Sequence, residues 1–400
     1  ASRITSFATI FPIGGNMLQK SVSVLALAAA TCFTCAAHAD DGVSDNADSA
    51  DFGEIIVIGS GQTRSVSTLL PSNLDTLPPG TSAQKALNFL PGVSAQSLDA
   101  LGVNEKSMTL QVRGFNTTHL GYTLDGMPLG DGAYNNYNGL SISRALISDN
   151  LGRAEVATGI AGLAIPSTSN LGGAVTYFSS DPRKEMALTV NATVGSENAA
   201  RAFVRLDTGE QNGLSAYLSG QYHQYDLFVD QAAYNKSTGK QFNGKMVYEF
   251  GGGKLTAFAD ISRTSQASNA YISKDMLGRL GWDQGGYAPD WQGYVDRAYC
   301  SVTNPTAPTL CVNPVAPETL SDVTFTNGQI LRSDNLFYLT GEFDLTSAFN
   351  MRVQGYHHKN KGAGNNWIMG WSKQDTATTA DDVPVRIRDT RYTIDRSGIL

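Results

Sequence analysis

The chain has 400 residues, 41 of them glycine, with 29 Lys and Arg against 36 Asp and Glu and a formal net charge of −7. That acidic balance argues against a nucleic-acid-binding protein, which would carry a basic patch. There is no Gly-x-Ser-x-Gly elbow, no His-Glu-x-x-His pair and no phosphate loop with its lysine, so an enzyme of those classes is not indicated.

Residues 1–16 precede Met17 and have no evident place in a mature protein, as translated upstream sequence would not. From Met17, Lys20 supplies a positive n-region, residues 22–30 an apolar core and Ala37-His38-Ala39 a small-x-small cleavage site, the pattern of a secretory signal cut after Ala39. A membrane anchor needs about 20 predominantly apolar residues; this core is shorter and ends in Thr31, Cys32 and Thr34. Removing residues 1–39 takes away Arg3 and Lys20 and no acid, moving the net charge from −7 to −9. Residues 40–53 are acidic and poor in hydrophobes, a mobile linker. Glu54, Ile55, Ile56, Val57 and Ile58 follow. Four β-branched residues behind a flexible leader suit a strand donated to an exposed sheet edge, and equally the first strand of the next domain.

Residues 82–91 read as a helix, with Thr81 or Ser82 as N-cap, an apolar side of Ala86, Leu87, Phe89 and Leu90, and a stop at Pro91-Gly92. Four glycine-jointed blocks come next: Gln111-Val112-Arg113-Gly114-Phe115, Tyr122-Thr123-Leu124-Asp125-Gly126-Met127-Pro128-Leu129, Arg153-Ala154-Glu155-Val156-Ala157-Thr158-Gly159 and Asn170-Leu171-Gly172-Gly173-Ala174-Val175-Thr176-Tyr177. Each runs a few strand-forming residues into a turn or a close backbone approach.

Beyond Asp181-Pro182 the pattern becomes long alternation. Leu188, Val190, Ala192 and Val194 share a face; Ala202, Val204 and Leu206 oppose Arg201, Arg205 and Asp207; Phe242, Met246, Tyr248 and Phe250 oppose Asn243, Lys245 and Glu249. Ala216, Leu218, Gly220 and Tyr222, Leu255, Ala257, Ala259 and Ile261, then Phe337, Leu339 and Phe343, then Met351 and Val353 belong to the same series, for about seven strands with another starting at Arg391. Connections at 209–213, 251–254 and 346–350 are short, whereas those beginning near Leu227, Arg263 and Lys361 are long. Alternating short and long connections distinguish a transmembrane barrel from a soluble sandwich. The apolar face then meets lipid and the charged face the lumen. Cys300 and Cys311 fall in the long loop after Arg263, with three prolines between them, and are read as a disulfide closing a surface loop, free thiols being the alternative. Adjacent His357 and His358 point to opposite faces of a strand and suit no metal.

Arg113-Gly114-Phe115, Leu124-Asp125-Gly126-Met127-Pro128 and Leu171-Gly172-Gly173-Ala174-Val175, in that order, resemble the plug domain of TonB-dependent outer-membrane receptors. The resemblance implies a mainly β fold: an α+β plug (residues 59–183) inside a transmembrane antiparallel β-barrel, of which residues 184–400 would form the first seven or eight strands. Such receptors have 22 strands with a plugged lumen, so the chain reads as an N-terminal fragment. It makes residues 54–58 the TonB box and TonB, with its inner-membrane energising complex, the partner. Substrate contact falls to the loops after the first two elements, with Thr117, Thr118, His119, Asp131, Tyr134, Asn135, Asn136 and Tyr137 as candidates. Those Asp and Asn residues also make turns, and the tyrosines could merely pack. Arg113 matches an arginine that ties plug to barrel glutamates, while Thr158-Gly159-Ile160 stands where the family has a second. The implied function is uptake of a large scarce solute, ferric siderophore first, with cobalamin, haem or an oligosaccharide open, in the outer membrane of a Gram-negative bacterium. Outer-membrane lipid is the surrounding partner, and no cofactor or metal is implied. A structural or adhesive barrel without transport is the different-class alternative.

Overall fold

The computed structural model describes residues 5–12, 65–105, 107–130, 139–159, 165–167, 170–227, 236–267, 274, 329–346, 349–369 and 385–400. In chain order these form β1 (Thr5–Pro12), a plug, and a long antiparallel wall.

The plug comprises β2 (Ser65–Leu69), α1 (Pro71–Leu74), α2 (Ala83–Ala86), β3 (Val93–Gln96), β4 (Thr109–Val112), β5 (Phe115–Asn116), β6 (Gly121–Leu124), β7 (Met127–Pro128), α3 (Ile142–Ala145), β8 (Leu151–Thr158) and β9 (Gly173–Ser179). One sheet has the order β3-β4-β5 and the other β2-β8-β9-β6-β7, with β6 and β9 parallel. The helix expected over 82–91 forms as the single turn α2, capped by the Ser82 hydroxyl accepting from Lys85 N (3.1 Å), and continues as a 3-10 turn over Leu87–Phe89. Leu90 is already extended, as a residue before proline must be.

The first two glycine blocks turn out to be one local structure used twice. Arg113 and Gly114 (φ 49° and 88°) join paired Val112 and Phe115, and Asp125 and Gly126 (φ 49° and 85°) join paired Leu124 and Met127. Positive φ at both central positions is the two-residue hairpin turn whose twist matches that of its strands. At the double glycine the constraint is close approach. A Cβ on Gly173 would lie 2.2 Å from the Ala157 carbonyl oxygen, across the β8–β9 ladder, and one on Gly172 would lie 2.4 Å from Phe115.

The wall is a meander: β10 (Met186–Val194), β11 (Ala200–Thr208), β12 (Leu214–Asp226), β13 (Lys236–Phe250), β14 (Gly253–Ala267), β15 (Gln329–Thr346), β16 (Phe349–Met369) and β17 (Val385–Ile399), each antiparallel to the next. Its polarity is the inverse of a soluble sheet's. Val204, Leu218 and Phe242 are 46, 66 and 56% exposed, whereas Asp207, Asn243 and Asp334 on the opposite face are fully buried against the plug. A continuous apolar outer face with a polar inner face is what lipid outside and a filled lumen inside require. Among the described residues no helix is long and apolar enough to cross a membrane.

The plug core runs into the wall without a break: Leu110, Leu124, Met127, Ala145, Val156 and Tyr177 form one buried cluster with Phe258, Leu336 and Tyr338 of β14 and β15. One element was not foreseen. Thr5–Pro12, in a stretch read from the sequence as having no place in the mature protein, pairs with β10 from Thr5↔Val194 to Pro12↔Ala187. An alternating segment there satisfies main-chain groups that an edge strand would leave unpaired.

Candidate functional site: the plug against the barrel wall

Polar side chains on the inner wall meet the plug at four places. The first is centred on Arg144 of α3, which is 1% exposed. Its guanidinium donates to Glu105 of the plug, to Asp334 of β15 and, at 3.0 Å, to the Gly139 carbonyl. Burial alone would push Arg144 down; Asp334 and Glu105 more than reverse that and keep it charged. Asp334 also accepts from Asn360 (2.6 Å) and lies 2.9 Å from His358 Nε2. Arg396 Nε donates to His358 Nδ1 (3.0 Å), which assigns the ring proton to Nε2 and makes that nitrogen the donor to Asp334. Arg396 also donates to the Leu129 carbonyl (2.8 Å), so one network joins α3, the strand after the Asp125 turn, and β15 to β17.

At the second place, Asp149 pairs with Arg201 of β11 and accepts from Asn191 of β10 (2.6 Å). Its neighbour Asn150 donates to Ser219 (2.7 Å) and Asn243 (3.1 Å) and accepts from Arg205 (3.2 Å). Third, Lys245 of β13 pairs with Asp181 (2.7 Å) and donates to Ser179 Oγ (2.8 Å), and Lys254 reaches Asp181 from β14 (3.2 Å). Burial pushes the Asp181 carboxyl up, but Lys245 and Lys254 outweigh it and hold it below its ordinary range.

The Asp125 turn is the fourth. One carboxylate oxygen accepts from Ser179 N (3.0 Å), and the other from Ser179 Oγ (2.7 Å) and the Tyr338 hydroxyl. Its carbonyl accepts from Arg352 (2.7 Å) and Gln354 (3.1 Å) on β16. A side chain at Gly126 would be strained at φ 85°, and its Cβ would displace the end of the Arg352 side chain, 2.7 Å away.

Of the candidate substrate residues, three are described. Thr117 is committed to the fold, its hydroxyl bonded to both N and O of Leu110 (3.1 Å each). Thr118 and His119 cluster on the Asn116 side-chain oxygen (2.6 and 2.8 Å), with the His119 ring edge-on to Phe115 and exposed. Asp131, Tyr134, Asn135, Asn136 and Tyr137 lie outside the described residues, as do Glu54, Ile55, Ile56, Val57 and Ile58 and Cys300 and Cys311. Arg113 is exposed at the β4–β5 turn. Sequence reasoning missed Arg144, Asp149, Asn150 and Asp181 as wall contacts. A lone arginine inside the apolar run from Leu140 to Ile147 was the available signal for the first.

It also missed a recess of about 420 Å³ between plug residues 98–104 and the outer ends of β10 to β12, lined by Asp99, Asn104, Glu197, His223, Tyr225 and Asp226. Burial pushes the Asp99 carboxyl up, against backbone hydrogen bonds from Val103 and Asn104. His357 is exposed and His358 buried, on opposite faces of β16. Among the described residues no group of three or more His, Cys, Asp or Glu side chains could hold a metal ion.

Residues 60–174 match the TonB-dependent Receptor Plug Domain family. Among solved structures the chain is similar to the ferripyoverdine receptor of the outer membrane of Pseudomonas aeruginosa bound to ferripyoverdine, at 16% identity over 84% of this chain and 38% of that one, with a TM-score of 0.52. It is also similar to BauA, the ferric preacinetobactin receptor from Acinetobacter baumannii (12% identity, 84% and 43% covered, TM-score 0.53). The ferric-catecholate import receptor Fiu from E. coli K12 in its open form is a further similar structure (16%, 84% and 44%, 0.52). At these identities the likeness is one of fold, and the chain spans about two fifths of each structure's length. No curated protein matches the chain. Residues 60–174 are thus a TonB-dependent receptor plug domain, tied at four places to an inside-out antiparallel wall.

Proposed function

We propose that the chain serves active uptake across the outer membrane of a Gram-negative bacterium, with ferric siderophores as the solute and TonB supplying the pull. The observation that carries this reading is the set of polar ties between plug and wall, two of them, Arg144–Asp334 and Asp149–Arg201, buried on both sides. A lumen filled by a folded domain does not leak, and a domain held through Arg144–Asp334, Asp149–Arg201 and Asp181–Lys245 does not leave by thermal motion. Breaking one buried pair costs about 3–5 kcal/mol, so displacement needs an external source of work.

The topology supplies a point of application. Among the described residues β2 is the edge strand of its sheet, paired with β8 over five residues, and Leu69 is its one fully buried hydrophobe. A pull arriving from residues 54–58 reaches β2 before any of the four wall ties. In this reading the solute is bound from outside and undergoes no chemistry. Ferric siderophores are named because the similar structures are described as receptors for such chelates.

The test is the abundance of the full-length protein in outer membranes from iron-starved cells, against iron-replete cells given different carbon sources. A several-fold rise on iron starvation supports the reading; indifference to iron with induction by a sugar moves the substrate to an oligosaccharide on the same scaffold.

A further inference from the structure

The plug is continuous with the wall through residues 180–185, between β9 and β10, and the groups that grip this junction come mainly from β11. Arg205 and Asp207 stand two residues apart on the inner face of that strand, both buried. Asp207 accepts from Arg205 Nε and Nη2 (2.9 and 2.7 Å), a forked pair, and again from the main-chain N–H of Arg183 (2.9 Å). Beyond that pair the Arg205 guanidinium donates to the Ser180 hydroxyl (2.7 Å), to the Asp181 carbonyl (3.1 Å) and to the Asn150 side-chain oxygen (3.2 Å). An arginine has five N–H donors in a fixed fork, and all of them are engaged here. Its face lies on the Tyr217 ring of β12, 3.8 Å from the centroid. From the short turn before β12, Glu210 N donates to the Lys184 carbonyl (2.9 Å), and Pro182 is buried.

Two properties set this socket apart from the ties at Arg144 and Asp149. It holds main chain, through the Arg183 N–H and the Asp181 and Lys184 carbonyls, and so fixes the path of the backbone where the chain is about to become β10. Both members of its ion pair also belong to the wall. Drawing the plug away from Arg144–Asp334 or Asp149–Arg201 strands a wall charge without its partner, whereas Arg205 and Asp207 keep one another. The socket is therefore the contact that displacement need not break.

We propose that Arg205 and Asp207 form a pivot, keeping residues 180–183 on β11 while the rest of the plug is drawn away and aiming the chain when it returns. The inference rests on the uptake reading above. A covalent tether by itself keeps a released plug near the lumen but leaves open the direction in which the chain departs from the wall. A fixed direction raises the effective concentration of the plug for its wall partners. Order spreading from the socket reaches the β8–β9 ladder at once, because Ser180 N donates to the Asn150 carbonyl (2.7 Å) and Ser179 stands opposite Leu151. With a slack junction the plug reseats slowly, and the lumen stays open after each pull. Arg205 is thus a positioning residue, acting through the backbone of residues 180–183.

The experiment compares the full-length wild type with R205Q combined with D207N, which removes the pair without leaving a lone buried charge. Both are produced in iron-starved cells that lack other iron receptors, with and without TonB. The readouts are the amount of protein in the outer membrane, trypsin resistance of the plug in isolated membranes, and growth inhibition by vancomycin, which an intact outer membrane excludes. Amount and trypsin resistance should match wild type, since no pull acts in isolated membranes. Vancomycin sensitivity should rise several-fold in cells with TonB and return to the wild-type level without it. R205K keeps the pair but cannot supply five donors and should lie between; if the double variant fails to reach the membrane, R205K carries the same comparison. Sensitivity no greater than wild type in cells with TonB would overturn the pivot, and so would equal sensitivity with and without TonB, the mark of a merely structural contact. R201Q with D149N removes a tie that displacement breaks anyway, and TonB-dependent sensitivity in that variant would also overturn the special role of the junction. Failure of the uptake reading would look different, as iron uptake by wild-type cells that is the same with and without TonB, and would overturn both.

Discussion

Arg113 holds φ at 49° in a turn where asparagine or glycine is at home, and the left-handed conformation costs an ordinary L-residue roughly 1–2 kcal/mol. Strain retained at an exposed position points to a task for the side chain. Arg113→Asn should therefore raise the thermal midpoint of plug unfolding in detergent by the equivalent of about 1 kcal/mol. A lowered midpoint would mean that the arginine's contacts outweigh its backbone cost. Asp125 shares the geometry but makes a visible return on it, since its carboxylate and carbonyl together take five hydrogen bonds from Ser179, Tyr338, Arg352 and Gln354. At this scale the sequence was legible where a motif and a turn coincide, as at Asp125-Gly126 and Arg113-Gly114. It was silent where a side chain's partner lies some 190 positions away, as for Arg144 and Asp334.

Between elements, the junction of α3 with β15 is the most deeply buried tie, and α3 is too short to hold a place by itself. Four residues make one turn, and such a helix persists only through tertiary packing. Ile142 and Ala145 are buried beside Arg144, so one face supplies both the apolar seat and the charge. Arg144→Leu takes from the buried Asp334 carboxylate its cation, leaving it the hydrogen bonds from Asn360 and His358, and should destabilise the plug–wall junction by about 3 kcal/mol. Limited proteolysis of the detergent-solubilised protein checks it: cleavage within the plug should be fastest for Leu, intermediate for Arg144→Lys, which cannot fork to both carboxylates, and slowest for wild type. Equal rates would remove Arg144 from the account. The strands themselves were readable because alternation is local: seven wall strands fall where the apolar faces placed them, and the eighth, expected from Arg391, begins at Val385. The short helices were less so. Arg144 sits in a run whose hydrophobicity suits a strand or a helix equally, and packing against β14 and β15 decided it.

For the whole molecule, a polar inner wall, a plug that shares its core with that wall and an apolar outer face form one consistent object. The sequence conveyed this through connection lengths and the inversion of strand polarity, both properties of the chain as a whole. It conveyed less about the interface, because the inner residues of each strand look like any solvated face until the plug is seen to cover them. Asn243 and Asp260 are polar in sequence and fully buried in the structure for that reason. In the proposed uptake, the same architecture sets the order of events: the described ties cluster in residues 105–181, while the edge strand β2 carries few.

The central claim, that work enters through residues 54–58, is tested most directly by Ile56→Pro. This change removes a main-chain donor from the strand that TonB would pair with and leaves the plug and wall untouched. Uptake and surface binding of a radiolabelled ferric siderophore would be measured side by side in iron-starved cells. The account predicts uptake reduced to the level of cells lacking TonB, with surface binding unchanged. Wild-type uptake by the proline variant would contradict it.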